Sequence, residues 1–173
     1  MTSPSLRFGV LTISDRSARG ERPDLSGPAI VAEIQKHGWQ IILTEIVPDD
    51  LQAIQTRLTA WSDNGDVDII LTTGGTGFAP RDITPEATLG IVERQAPGLA
   101  EAMRAESYVV TPHAMLSRGT AGIRGRTIII NLPGSPKAAI ENLTTITPVL
   151  EHAVDLLRES PTSEQGHRML DRS

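Results

Sequence analysis

The sequence has no cysteine and very few aromatic residues, and both shortages limit the classes of protein to which it can belong. Its 173 residues include no Cys, which excludes a disulfide framework and a thiolate metal site. Aromatic residues make up 3% of the chain and apolar residues 39%, so the core must be built from Ile, Val, Leu and Ala. An aliphatic core of this kind suits a buried sheet covered by helices. The length is close to that of one ordinary domain.

Long apolar runs and blocks of one charge are also missing. The longest apolar stretches, such as Ile128–Ile130, are far shorter than the ~20 residues that a membrane helix needs. The N-terminal region lacks the apolar segment of a signal peptide, so we expect no membrane association and a cytoplasmic location. The net charge is −5 with both signs scattered. This argues against nucleic-acid binding, because nucleic-acid-binding surfaces carry a basic stripe.

The hydrophobic pattern predicts strands that alternate with helices. Apolar runs bounded by Gly or Pro predict strands at 6–13, 39–47 and 67–72, and two short strands within 120–131. Apolar spacings of three and four predict five helices. The first is capped by Asp24 or Ser26 and ends at Gly38, the second runs from Leu51 to Trp61, and the third is capped by Thr84 and ends near Gln95. The fourth covers Gly98–Ser107, and the fifth runs from Lys137 to about residue 159 with a break at Pro148. This order predicts an α/β fold with a mostly parallel sheet between helices. We expect one domain over residues 1–173, with an ordered core at about 6–158 and a frayed polar tail from Pro161.

Four loops that follow predicted strands concentrate glycine and polar residues. Ligands of parallel α/β sheets bind beyond the carboxyl ends of the strands, where the chain direction reverses. If the sheet is parallel, all four loops lie along that one edge. These loops are Ser14–Arg16, Pro48–Asp50, Thr73–Gly77 and Pro133–Lys137.

The glycine-rich loop Gly74–Gly77 is a candidate phosphate-binding loop. Its glycines allow positive φ angles and can direct several N–H groups at one anion. It is not a Walker A loop, and Pro80 occupies the last glycine position of a dinucleotide fingerprint. The alternative is a tight turn that contains glycine for steric reasons. Its position between a buried strand and a helix favours phosphate.

Charged side chains on the same edge suggest a metal and further phosphate contacts, and each has a simpler alternative. Asp49 and Asp82 together suit Mg²⁺, which takes one or two carboxylates and the oxygens of substrate phosphates. Alternatively, Asp49 or Asp50 caps the next helix and Asp82 stabilises a turn. Lys137 on this edge, and Ser117-Arg118 just before the late strands, could bind phosphate. Alternatively, Lys137 is a solvated surface lysine and Arg118 an ordinary ion-pair residue.

Three motifs resemble the MogA/MoaB family of molybdenum-cofactor biosynthesis proteins, and the similarity extends from about residue 6 to 158. The motifs are LTISDR at 11–16, TTGGTGFAPRDITPEAT at 72–88 and NLPGSPK at 131–137. The resemblance implies a three-layer α/β/α fold with a mixed sheet, and a homotrimer. It also implies transfer of AMP from Mg-ATP to the phosphate of molybdopterin, with release of pyrophosphate. A downstream partner protein would then insert the metal.

The resemblance also assigns site residues. It makes Asp49 and Asp82 the essential acids, which would hold Mg²⁺. It assigns the remaining matched positions to the binding of nucleotide and pterin, namely Ser14, Asp15, Thr73, Gly74, Gly75, Thr76, Gly77, Ser117, Arg118, Pro133, Gly134, Ser135 and Lys137. Three alternatives stay open: a carrier that holds molybdopterin without modifying it, a scaffold protein, and an unrelated nucleotide-dependent enzyme. The presence of both acids favours catalysis, since a carrier has no need of both.

Overall fold

A six-stranded mixed sheet forms the centre of the structure, which is a computed structural model describing residues 5–159. The strands are β1 Arg7–Ile13, β2 Gln40–Val47, β3 Ile69–Thr73, β4 Arg94–Gln95, β5 Ala121–Arg124 and β6 Thr127–Leu132. The helices are α1 Asp15–Ala18, α2 Ser26–Lys36, α3 Leu51–Asn64, α4 Thr84–Leu89, α5 Pro97–Val110 and α6 Pro136–Leu157, and a 3₁₀ helix covers Pro112–Leu116. In the described part of the chain, no helix is long and apolar enough to cross a membrane.

The order of the strands places a reversal of chain direction between β1 and β3. The order is β2-β1-β3-β6-β5-β4, and β2, β1, β3 and β6 run parallel to their neighbours. β5 pairs antiparallel with both β6 and β4, so it alone of the six runs in the opposite direction. The connection after β1 leads to β2 on one side of β1, and the connection after β2 leads to β3 on the other side. A crevice opens at such a point beyond the carboxyl ends of the strands.

Two aliphatic cores lie on opposite faces of the sheet, as the alternation of side chains along the strands requires. On β6, Ile128 and Ile130 face helices α2, α5 and α6, whereas Ile129 faces α3 and α4. The predicted α/β fold with helices on both faces is therefore confirmed, as are the two short strands within 120–131.

One helix prediction is wrong at its C-terminal bound. The helix at Thr84 ends at Leu89 rather than near Gln95, because Gly90 follows and the backbone then pairs with β5. Gly122 of β5 leaves room for Val92, since a Cβ at Gly122 would lie 2.7 Å from that side chain. The segment that resembled a helix end is thus the approach to an edge strand.

The predicted break at Pro148 does not occur, and α6 continues through it to Leu157. Pro148 and Thr144 both lie on the exposed side of the helix. The carbonyl that loses its N–H partner four residues earlier can therefore be hydrated. Leu143, Ile146 and Leu150 stay buried along the opposite side and hold the helix on the sheet. The tail from Pro161 lies outside the described residues.

Candidate functional site

A cavity of about 820 Å³ opens beyond the carboxyl ends of β1, β2, β3 and β6. All four predicted loops contribute to it, which confirms that they meet on one edge of the sheet. The predicted site residues that line it are Ser14, Asp15, Asp49, Thr73, Gly74, Gly75, Asp82, Gly134 and Ser135.

The glycine loop is built so closely against β1 that only glycine fits at Gly74. This residue has a φ of +102°, and a Cβ there would lie 2.2 Å from the carbonyl oxygen of Ile13. Gly75 also has a positive φ, +64°. The steric reason for glycine in this loop is therefore real. It does not exclude the role of the loop in phosphate binding, which stays a prediction.

Three N–H groups of the same loop are not used by the described part of the protein itself, and that of Gly75 lies at the cavity. The amide N–H groups of Gly75, Thr76 and Gly77 have no hydrogen-bond acceptor among residues 5–159. The hydroxyl of Thr84 donates to the carbonyl of Gly74 over 2.8 Å, and the amide of Thr84 donates to Gly75. Thr84 is therefore the first residue of α4 rather than its cap, and it holds the loop in place.

Asp49 faces the cavity because its neighbour Asp50 performs the capping role. The side chain of Asp50 accepts from the amide of Ala53 over 2.8 Å at the start of α3. Asp49 Oδ2 accepts from the amide of Asp15 over 2.9 Å, and Asp15 Oδ1 accepts from the amide of Asp49 over 3.0 Å. This reciprocal pair fastens the end of β2 to the start of α1. Asp49 Oδ1 has no hydrogen bond within the described residues.

The electrostatic surroundings of Asp49 favour a cation. Burial raises the pKa of Asp49, and the charges of Asp15 and Asp82 raise it further. The hydrogen bond from the amide of Asp15 and the positive charge of Arg81 act in the opposite direction without reversing the shift. Three acids converge here with one nearby guanidinium, an arrangement that a bound cation would stabilise.

Asp82 stabilises a turn and also lines the cavity. Its Oδ2 accepts from the amide of Ala79 over 2.9 Å, so Asp82 does stabilise a turn, as the alternative prediction states. Oδ1 has no hydrogen-bond donor among residues 5–159. A Cβ at Gly77 would lie 2.9 Å from Asp82 Oδ2, so the carboxylate also packs against the glycine loop.

The two acids suit Mg²⁺ by number and chemistry. The described residues contain no group of three or more His, Cys, Asp or Glu that could hold a metal alone. Mg²⁺ does not require such a group, since it binds through one or two carboxylates and completes its shell with water and substrate phosphates. The free oxygens of Asp49 and Asp82 meet that requirement.

Arg118 holds the glycine loop from outside the cavity. Its Nε donates to the carbonyl of Gly77 over 2.8 Å, and its backbone amide donates to the carbonyl of Thr76 over 2.8 Å. The guanidinium also contacts the carbonyl of Asp82 and pairs with Glu86. These three bonds to carbonyls tie Arg118 to the segment 76–82, which carries Asp82. The ion-pair alternative is therefore the one seen, and a phosphate role for Arg118 stays an untested prediction.

Five other predicted residues do not line the cavity. Thr76, Gly77 and Ser117 adjoin lining residues or Arg118 in the chain without lining the cavity themselves, and the carbonyl of Pro133 accepts a 2.7 Å hydrogen bond from the hydroxyl of Thr73. Lys137 has a side chain that is 80% exposed and pairs with Glu141 at 3.7 Å. The surface-lysine alternative describes its position here.

The N-terminus of α6 reaches the cavity through Gly134 and Ser135. Ser135 caps the helix, since its hydroxyl accepts from the amide of Ala138. Gly134 packs against the glycine loop, and a Cβ there would lie 3.3 Å from the Cα of Gly74. The positive end of a helix dipole therefore points at the same space as the free N–H groups.

Sequence reasoning missed four arginines in the cavity wall, namely Arg16, Arg19, Arg22 and Arg81. A signal was present, since the first three recur at intervals of three directly after β1 and the fourth adjoins Asp82. The sequence predicts only a capping role for Asp24. It does accept from the amides of Ser26 and Gly27, and it also accepts from the hydroxyl of Thr12 over 2.7 Å.

Comparison with known proteins gives consistent matches. A family model described as "Probable molybdopterin binding domain" matches residues 9–152. A molybdopterin adenylyltransferase of Helicobacter pylori is 42% identical over 88% of this chain and 88% of its own length. The structure of the molybdopterin biosynthesis enzyme MoaB from Thermus thermophilus superposes with a TM-score of 0.85 and 49% identity, over 90% of this chain and 98% of that one.

Larger proteins contain a similar region. Gephyrin of Dictyostelium discoideum is 45% identical over 94% of this chain, but the chain spans only 24% of its length. The molybdenum cofactor synthesis protein cinnamon of Drosophila melanogaster is 47% identical, and the chain spans 26% of it. This chain therefore corresponds to about a quarter of each of these relatives.

Proposed function

The chain belongs to the molybdopterin-binding domain family of molybdenum-cofactor biosynthesis, and from this membership we propose that it is a molybdopterin adenylyltransferase. It transfers the adenylyl group of Mg-ATP to the terminal phosphate of molybdopterin and releases pyrophosphate. The observation that carries the proposal is the meeting, in one cavity, of two carboxylates that each keep a free oxygen, beside a loop whose N–H groups have no acceptor among the described residues.

The reaction needs positioning more than proton transfer. An anionic oxygen of the pterin phosphate forms a bond to the α-phosphorus of ATP. The bond from that phosphorus to the bridging oxygen breaks, and pyrophosphate leaves with the electron pair. Because the nucleophile is already ionised, no side chain has to act as a base. The barrier lies in bringing two polyanions into line.

The residues of the cavity have the properties for this task. The N–H group of Gly75, which lines the cavity, can bind a phosphate oxygen, and Thr84 and Arg118 hold the glycine loop in place. Asp49 and Asp82 would hold Mg²⁺ in this proposal. When bound, Mg²⁺ neutralises phosphate charge and stabilises the pyrophosphate as it departs.

The same proposal includes an assembly and a place in the cell. We propose a homotrimer in the cytoplasm that passes adenylylated pterin to a metal-insertion protein, with residues 1–173 acting as one functional domain. A run of exposed apolar side chains at the end of α5 and in the 3₁₀ helix supports a contact with other copies. These side chains are Tyr108, Val109, Val110, Met115 and Leu116, of which Val109 is 80% exposed.

A matched pair of adjacent acids tests the role of the cavity. Asp49→Asn removes a charge from the cavity but keeps an acceptor for the amide of Asp15, whereas Asp50→Asn retains a good helix cap outside the cavity. We expect Asp49→Asn to lower kcat by at least about 100-fold and Asp50→Asn to leave it within about twofold of wild type, since Asn and Asp cap helices about equally well. Equal rates for the two variants would remove Asp49 from the proposal.

A further inference from the structure

The cavity has a second set of charges that the two acids do not account for. The segment 15–25, formed by α1 and the connection to α2, contributes Arg16, Arg19 and Arg22 to its wall. We call this segment the arginine arm. Asp49 and Asp82 instead follow β2 and β3. The arm also carries Asp15 and Asp24 in the cavity wall, but their carboxylates accept hydrogen bonds from the amide of Asp49 and from Thr12 and the first turn of α2.

The backbone of the arginine arm is well held, whereas its arginine side chains are exposed. Ser14 caps α1, and Gly20 closes the turn with a φ of +71° and a 3.0 Å hydrogen bond to the carbonyl of Ser17. The amide of Glu21 donates to the carbonyl of Arg16 over 2.9 Å. At the far end, Asp24 is fixed by Thr12 and by the first turn of α2. The arm is thus a fixed base for groups that can reach into the cavity.

Two of the three arginines on the arm have no ion pair in the described part of the chain, although the segment also carries three acids, Asp15, Glu21 and Asp24. Arg16 and Arg22 have no ion-pair partner among residues 5–159. Arg19 pairs with Glu21 at 2.7 Å, but both side chains are at least half exposed, so this pair is easily exchanged for a better one. Elsewhere in the described chain, Arg7, Arg118, Arg124 and Arg158 are paired with carboxylates. Arg94, Arg104 and Arg126 also lack an ion pair within the described residues, so what distinguishes Arg16 and Arg22 is their position in the cavity wall.

The proposed reaction brings together two anions with different needs. The nucleotide binds together with Mg²⁺, and the carboxylates of Asp49 and Asp82 would bind that cation. The other substrate carries a phosphate monoester without a metal, and free carboxylates repel it. Guanidinium groups bind such a dianion through charge-assisted, bidentate hydrogen bonds.

We propose that Arg16, Arg19 and Arg22 form the binding site for the terminal phosphate monoester of the pterin substrate. This inference rests on the proposed function for the identity of the substrate. It divides the cavity into a metal–nucleotide side at Asp49 and Asp82 and a phosphate-monoester side at the arginine arm. The arm then holds the attacking phosphate and keeps it out of the position of the metal.

The test compares the double variant Arg16→Gln/Arg22→Gln with Arg126→Gln. Arg126 is exposed, has no ion pair within the described residues, and lies in the β5–β6 turn at the opposite end of the sheet. We expect the double variant to raise the KM for molybdopterin by about tenfold or more, while the KM for Mg-ATP changes less than about twofold. Arg126→Gln should leave both constants unchanged.

A binding measurement separates this inference from the proposed reaction. Calorimetric titration with molybdopterin alone, without ATP or Mg²⁺, should show affinity weakened by the same factor in the double variant. If the wild type binds molybdopterin but forms no product, loss of binding in the double variant still supports the site. Unchanged molybdopterin affinity, or a rise confined to the KM for Mg-ATP, would overturn the inference while leaving the reaction intact.

Discussion

Replacing Gly74 with alanine should destabilise the protein much more than the same replacement at Gly65. Both glycines have positive φ angles, +102° at Gly74 and +77° at Gly65. A Cβ at Gly65 would meet nothing within 4 Å, whereas one at Gly74 would lie 2.2 Å from the carbonyl oxygen of Ile13. The pair therefore separates the cost of backbone conformation from the cost of the close approach.

The magnitudes follow from these two costs. An L-residue at positive φ costs about 1–2 kcal/mol, which is all that Gly65→Ala should lose. At Gly74 the strained backbone costs about 1–3 kcal/mol. The clash adds about 1–3 kcal/mol, because the atom that must move is the backbone of a buried strand rather than a flexible side chain. We expect a total near 4 kcal/mol for Gly74→Ala, a large part of the ~5–15 kcal/mol that stabilises a typical domain.

Urea unfolding followed by tryptophan fluorescence measures both variants, since Trp39 and Trp61 are buried and on opposite faces of the sheet. The free energy of unfolding should fall by at least about 2 kcal/mol more for Gly74→Ala than for Gly65→Ala. Equal losses would show that β1 yields readily at Ile13. The idea of a rigid glycine loop at the cavity would then be wrong.

Three other predictions concern the helix, the ion pairs and the loop. Pro148→Ala should raise the free energy of unfolding by about 1–2 kcal/mol in the urea assay, because the exposed proline costs α6 a hydrogen bond; a loss would contradict this. Burial alone would raise the pKa of Asp68, but hydrogen bonds from Arg7 and Arg158 outweigh it and lower that pKa. Asp68→Asn should therefore lower the free energy of unfolding by about 2 kcal/mol near neutral pH. This difference in free energy between variant and wild type should disappear as the pH falls below about 4 and through the lowered pKa of Asp68. A difference that persists at low pH would argue against a stabilising role of the ion pairs. Arg118→Lys cannot bridge two carbonyls and Glu86 at once, so it should lower kcat about tenfold with little change in melting temperature, and an unchanged kcat would exclude a positioning role.

The sequence was informative where one local rule dominates. Apolar runs bounded by glycine or proline located β1, β2 and β3, and the rule for parallel sheets then brought their end loops to one edge. Aspartates at the strand ends were found in this way without any knowledge of tertiary contacts.

The remaining details depend on contacts between distant segments. Whether Asp49 or Asp50 caps α3 is a choice between neighbours, and it is decided by the amide of Asp15 across the cavity. Local rules predict that the hydroxyl of Thr84 caps a helix, but it donates a hydrogen bond to the carbonyl of Gly74 instead. Pro148 is tolerated only because it faces solvent while the other side of α6 is packed on the sheet.

Arg118 shows the same limit for function. Its guanidinium just before the late strands suggested a phosphate contact, but its donors bind the carbonyls of Gly77 and Asp82. Conversely, the prediction for the first loop rests on Ser14 and Asp15 and does not include the arginines of the arm. Spacing along the chain does not reveal which guanidiniums are already paired, and that information decides which of them can bind an anion.

The most direct measurement incubates the purified protein with molybdopterin and Mg-ATP and follows adenylylated pterin and pyrophosphate by chromatography. Asp82→Asn is run alongside, because asparagine can still accept from the amide of Ala79 while losing the charge. We expect the wild type to form both products in equal amounts and the variant to form little of either. Tight binding of molybdopterin with no product from the wild type would contradict the transferase and identify a carrier.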